Sequence, residues 1–169
     1  MALSGSTSAS AAPYNQDLIN KTDGSRLALY VDGTGEGAPA VTLRDPAYYS
    51  KYRTEAWDAE QSIVDGAVHI TLRNRAANKC LQPALNEPTR GSGIVVKTCN
   101  GSALQSWVRQ AEMVGNHNTG WWVWRPVTNP DLAMTLHRHN DGAWASLYLD
   151  TSYPSADRLW KLAPNDQAW

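Results

Sequence analysis

Three tryptophans, Trp57, Trp107 and Trp160, divide the 169-residue chain into nearly equal parts, with spacings of 50 and 53 residues. Each closes a similar phrase: Thr54-Glu55-Ala56-Trp57, Leu104-Gln105-Ser106-Trp107 and Asp157-Arg158-Leu159-Trp160. A period near 50 that recurs three times marks three copies of one supersecondary unit. Such units bury a hydrophobic core only when packed together. Three-fold folds of this kind place function at three equivalent pockets.

No long stretch carries a 3.6-residue apolar period. Short β-rich runs recur instead, at residues 27–31, 40–43, 68–72, 94–97, 121–124 and 146–149. Turn clusters such as Asp32-Gly33-Thr34-Gly35, Arg90-Gly91-Ser92-Gly93, Gly115-Asn116-His117-Asn118 and Asn140-Asp141-Gly142 separate them. Short strands at regular spacing, broken by Gly, Asn and Asp, predict an all-β sandwich or barrel. Residues 46–59 are the one stretch that reads as helical, short enough to be a single turn. Each repeat opens as strand, polar turn and strand, at residues 19–28, 72–81 and 125–134, and reaches a third strand before its tryptophan.

The length fits one domain with a sizeable core. A net charge of −1 with interspersed signs offers no basic stripe for nucleic acid. No apolar run approaches the length of a membrane span. Residues 1–17 read as a flexible leader rich in Ser, Ala and Gly, leaving 18–169 as the domain. The leader lacks the basic and apolar regions of an intact signal peptide. Eight Trp and seven Tyr with no Phe favour half-wet binding surfaces, since both rings pair an apolar face with a polar handle. The two cysteines, Cys80 and Cys99, fit a buried free pair or a bonded one on count alone.

The second repeat carries a resemblance. Asn78-Lys79-Cys80-Leu81-Gln82, then residues 93–100 running from Gly93 to Cys99-Asn100, then Gln105-Ser106-Trp107, resembles a repeat of the ricin B-type β-trefoil lectins. Those repeats run Cys-Leu-Asp, a Gly before a strand ending in Cys, and Gln-x-Trp. The other two repeats match in period, strand pattern and closing Trp. A fainter likeness, through Arg73-Asn74, Cys80-Leu81-Gln82 and Cys99-Asn100, is to the trefoil binding subunits of cytolethal distending toxins. The resemblance implies a β-trefoil, a carbohydrate-binding function and a Cys80–Cys99 disulfide. In support of that bond, the positions matching the first cysteine hold Leu27 in lobe one and Ala133 in lobe three, and neither lobe has a cysteine near its third strand. A disulfide favours a secreted location.

A pocket of this family pairs an Asp after the first Cys with an aromatic on the third strand and an Asn before the Gln of Gln-x-Trp. In lobe two those positions hold Gln82, Lys97 and Leu104, so Gln105 and Trp107 are expected to be structural. Lobe one offers Ala28 or Leu29 and Arg44. Lobe three keeps an aromatic, Tyr148, has Asp157 at the Asn position, and has Met134 or Thr135 at the Asp position. His137, Asn140, Asp141 and Trp144 lie close by in sequence and complete a candidate carbohydrate site there. Trp122 and Trp124 share one strand face and form a candidate aromatic interaction surface. His137 and His139 make a His-x-His without a third ligand, so neither a metal nor a cofactor is expected. No Gly-x-Ser-x-Gly, Cys-His pair or phosphate loop is present, so no enzyme is expected. Two functions lead: binding of a glycan or cell-surface glycoconjugate, and binding of a protein, as a toxin delivery subunit or an inhibitor; a third, an enzyme such as a glycosidase, has no motif in its support. Insertion into a membrane and nucleic-acid binding are not expected.

Overall fold

The computed structural model describes residues 13–43, 52–139 and 144–165. Their regular structure is strand, interrupted by single 3₁₀ turns. The strands are β1 (Gln16–Asn20), β2 (Arg26–Leu29), β3 (Ala40–Leu43), β4 (Trp57–Val64), β5 (Ala67–Asn74), β6 (Lys79–Pro83), β7 (Ile94–Lys97), β8 (Trp107–Val114), β9 (His117–Pro126), β10 (Leu132–His139), β11 (Trp144–Thr151) and β12 (Leu159–Pro164). Alternation drives them. In β5, Ile70, Leu72 and Asn74 turn inward while Thr71 and Arg73 are only half-buried. Asp65 and Gly66 both take positive φ, at 49° and 80°, between β4 and β5. A two-residue Asp-Gly turn of this kind matches the twist of paired strands.

Six strands close a barrel. β1 pairs with β4, β4 with β5, β5 with β8, β8 with β9, β9 with β12, and β12 returns to β1. Closure leaves these strands no free edge. The other six form hairpins β2–β3, β6–β7 and β10–β11, joined at one end by β3–β11 pairing and by bridges Pro39–Val95 and Gly93–Tyr148. A six-stranded barrel capped by three hairpins is a β-trefoil, the fold expected from the period.

The three closing tryptophans hold equivalent places. Trp57, Trp107 and Trp160 are fully buried at the starts of β4, β8 and β12. Their indole N–H groups donate to the carbonyls of Leu27, Leu81 and Met134, at 2.9, 2.9 and 3.0 Å. Each ring therefore fills the shared core with its one polar atom satisfied. The core also takes Leu18, Leu29, Leu72, Ile94, Val96, Leu136 and Leu149, from all three lobes.

Two expectations change. Within the stretch 46–59, residues 46–51 lie outside the described residues. Arg53–Glu55 is a single 3₁₀ turn, but Trp57 to Ala59 is extended chain of β4, held against β5. The inward demand of Trp57 and Ala59 on a strand overrides any helical reading of their composition. At the other end, β1 begins at Gln16, and Asp17 is fully buried. The fold thus takes in two residues that the sequence assigns to the leader. Among the described residues, no helix is long and apolar enough to cross a membrane.

Candidate functional site

The indole acceptors fix how the lobes correspond. Counting one residue on from Leu27, Leu81 and Met134 places Ala28, Gln82 and Thr135 at the family's Asp position. Strand register then places the third-strand positions. Cys80 pairs with Lys97, Ala133 with Asp150, and Arg26 with Leu43. Lys97, Asp150 and Leu43 are therefore equivalent, and Cys80 corresponds to Arg26 rather than Leu27. Tyr148 pairs with Thr135, as Val95 pairs with Gln82. It lies on the same strand face as Asp150 but two residues earlier than the family's aromatic position. The corresponding residue in lobe one is Leu43, not Arg44, which is outside the described residues.

Lobe two is closed by its own side chains. Gln105, fully buried, donates to Gln82 Oε1 at 3.0 Å and to the Thr98 carbonyl at 3.0 Å, and accepts from the Asn100 N–H at 2.9 Å. Its amide pins the turn after β7, which is a structural task. Cys80 and Cys99 are disulfide-bonded across the same turn, with Cα atoms 5.0 Å apart. A loop from lobe one lies over this region. Glu36 accepts from the Thr98 N–H at 2.9 Å and from its hydroxyl at 2.8 Å. Those bonds, with Lys79 and Lys97 nearby, hold its carboxyl below the usual value against a small opposing effect of desolvation. Gly37, at φ 81°, lets the loop pass the Lys97 side chain and bond to Val96.

Lobe three is built differently. Arg158 stands where lobe two has Gln105, two residues before the closing tryptophan. Its Nε donates to the Thr151 carbonyl at 2.7 Å, as Gln105 does to Thr98. The guanidinium also reaches Asp150 at 2.9 Å and Asp157 at 3.1 Å. Asp150 accepts further from the Thr151 N–H at 2.8 Å, Arg90 Nε at 2.6 Å and the Tyr148 hydroxyl at 3.0 Å. Desolvation acts to raise the Asp150 pKa. The Thr151, Arg90 and Tyr148 bonds and the Arg158 charge outweigh it and hold the group below the usual value. Tyr148 is pushed the other way, by burial first and then by its bond to Asp150, so the phenol stays a neutral donor.

Around this frame lie exposed groups. His137 meets the Tyr148 ring edge-on, with centroids 4.8 Å apart and planes at 81°. The Asp157 side chain is 36% exposed and also accepts from the Ser155 hydroxyl. Arg90 reaches across from lobe two with its side chain 75% exposed. An aromatic ring, a carboxylate and two nitrogen-bearing side chains are thus linked in one partly exposed network, the lobe-three shelf. Chemically this can stack an apolar face and both accept and donate hydrogen bonds.

Of the residues expected at this site, Tyr148 and His137 touch, and Asp157 joins them through Arg158 and Asp150. Trp144 is four residues along β11, roughly 13 Å away at the rise of a strand. Its ring packs instead on Tyr30, with centroids 5.0 Å apart. Asn140 and Asp141 lie outside the described residues. Sequence reasoning missed Asp150, Arg158 and Arg90. Asp150 precedes Trp160 by ten residues, as Lys97 precedes Trp107, and that spacing was the available signal. Arg158 was legible from its place before Trp160. Nothing local to lobe three announces Arg90.

Trp122 and Trp124 do not form an exposed surface. Trp124 is fully buried in the core, and Trp122 is half-buried against it. Arg109 covers both rings, 4.5 and 5.3 Å from their centroids. The face they share is the one turned to the core. Burial lowers the Arg109 pKa from its ordinary value. Trp121, on the opposite face, lies beside Lys161 and Lys21, at 4.8 and 5.9 Å. Among the described residues, no group of three or more His, Cys, Asp or Glu is placed to hold a metal ion.

No protein-family model and no curated protein matches this sequence. Solved structures do match its fold. The designed three-fold symmetric protein ThreeFoil superposes with a TM-score of 0.72 at 17% identity, covering 88% of this chain and 96% of its own. The Rhizoctonia solani agglutinin gives 0.69 at 14%, covering 90% and 96%. The Haemophilus ducreyi cytolethal distending toxin gives 0.68 at 14%, covering 94% and 88%. In larger matching proteins the chain spans only a part, 17% of a mosquitocidal holotoxin chain and 30% of an exo-β-1,3-galactanase from Clostridium thermocellum. At these identities the likeness establishes the β-trefoil fold.

Proposed function

We propose that this chain is a carbohydrate-binding β-trefoil module that works through one lobe. The observation that carries this reading is the lobe-three shelf: the Tyr148 ring, locked by Asp150 and His137, beside the exposed carboxylate of Asp157. Sugar recognition needs an aromatic face for the ring C–H groups and fixed acceptors for hydroxyls. Lobe two has spent its polar groups on its own turn, and lobe one presents Ala28 and Leu43. The fold likeness to an agglutinin points the same way. The disulfide and the likenesses to lectins and toxins support an extracellular location. One shallow site has few rigid contacts to offset the ordering cost of binding, so affinity is expected to be weak.

A glycan array with wild-type protein and Tyr148→Ala tests the reading. The wild type is expected to bind a restricted set of glycans, and Tyr148→Ala to lose at least tenfold in affinity with an unchanged far-UV spectrum and a cooperative thermal transition. A second reading, binding of a protein partner as a toxin subunit or inhibitor does, is favoured by the closed lobe two and by the toxin-like fold match. A blank array would make it the leading one, and normal binding by Tyr148→Ala would remove the lobe-three site.

A further inference from the structure

At the end capped by the hairpins, the pseudo-three-fold axis carries a hollow that opens to solvent. Its volume is about 410 Å³, and all three lobes line it. Register explains the lining. Leu29 pairs with Ala40, Pro83 with Ile94, and Leu136 with Leu147, so Ala40, Ile94 and Leu147 are equivalent and form one layer. Lobe one supplies a methyl group where the other two supply four-carbon side chains. One residue earlier, lobe two has Gly93 where lobes one and three have Pro39 and Ser146. Too little side chain therefore meets on the axis to fill it. Val41 and Val95 add apolar wall, and the edge-packed Tyr30–Trp144 pair closes one side. The Tyr30 and Ser146 hydroxyls are the polar side-chain oxygens among the lining residues.

We infer that this axial cavity is a second binding site, for a small uncharged apolar molecule, aryl or branched alkyl, bearing at most one or two hydroxyls. The volume lies in the range of ligand pockets, which are lined mostly by apolar and aromatic groups with few polar ones. A sugar is poorly served here, since among the described residues no carboxylate or side-chain amide lines the walls. An anion is poorly served as well, because among the described residues no cation or side-chain amide lines the walls to compensate its desolvation. The cavity adjoins the lobe-three shelf, since Gly93 of its lining bridges to Tyr148, but its aromatic wall is its own: Trp144 packs on Tyr30.

The test is a titration of the full chain with 4-tert-butylphenol, followed by backbone amide shifts. Saturable shifts are expected at Gly93, Ile94 and Leu147 and at the Trp144 indole N–H. The anion 4-tert-butylbenzoate should bind at least tenfold more weakly. Ala40→Leu fills the short layer from lobe one. Ser146→Leu fills the cavity from a half-exposed position whose replacement leaves the core intact. Each folded variant should weaken 4-tert-butylphenol binding at least tenfold. The inference is overturned by an absence of saturable shifts, by shifts that map elsewhere, by equal binding of the benzoate, or by wild-type affinity in either folded variant.

Discussion

At the scale of single residues, the division between what could and could not be read follows the range of each interaction. The three tryptophans were legible because each repeats a local phrase and each satisfies its indole within its own lobe. Asp150 was not, because its partners Arg90 and Arg158 come from a different lobe and a different turn. Its role also yields a pH prediction. The folded-state pKa of Asp150 is depressed. Its stabilising contribution is therefore full above the unfolded value of about 3.9 and is lost as pH falls through the folded value. Asp150→Asn removes that contribution at every pH. Thermal unfolding should show Asp150→Asn melting a few degrees below wild type at pH 6. The gap should shrink as pH falls towards 2, because the wild type then loses what the variant already lacks. A constant gap across that range would refute this account of Asp150.

At the scale of elements, the β6–β7 hairpin is the unit most readable from sequence and the one most closely tied. Its strands pair from Cys80–Lys97 to Pro83–Ile94, and the disulfide closes the turn just beyond. The bond links positions 19 apart. Chain-entropy reasoning for a loop of about 20 residues gives on the order of 3 kcal/mol, by restricting the unfolded chain. The double variant Cys80→Ala/Cys99→Ser should lose about that much in denaturant unfolding. Adding reductant should bring wild type down to the variant and leave the variant unchanged. The β10–β11 hairpin shows the opposite case. Its aromatic residue was legible, but its pairing frame was not, because alternation fixes a face without fixing which of two same-face residues takes a given place. Tyr148 and Asp150 share that face, and only the register separates them. The β8–β9 hairpin failed in the same way: Trp122 and Trp124 sharing a face was legible, while the direction of that face was set by closure of the barrel.

At the scale of the whole molecule, the period gave three units, yet the pairing shows that no unit stands alone. Within lobe two, the barrel strands β5 and β8 meet at one register pair, Ile70–Trp107. Their long pairings cross lobe boundaries. β4 runs along β5 from Trp57–Asn74 to Val64–Ala67, and β8 runs along β9 from Trp107–Pro126 to Val114–His117. The chain is closed by β1 against β12, which joins the first lobe to the last. Ladder hydrogen bonds and apolar faces are thus satisfied between repeats, and the core draws on all three. An excised repeat of residues 66–114 would keep its disulfide and the β6–β7 hairpin, but would expose both faces of β5 and β8. A short hairpin with no packed face is marginal in water at best. The excised repeat should therefore show no cooperative thermal transition, and its Trp107 fluorescence should match that of a solvated indole. If it melts cooperatively with a buried Trp107, the lobes are autonomous, and the shared core is not what holds this trefoil together.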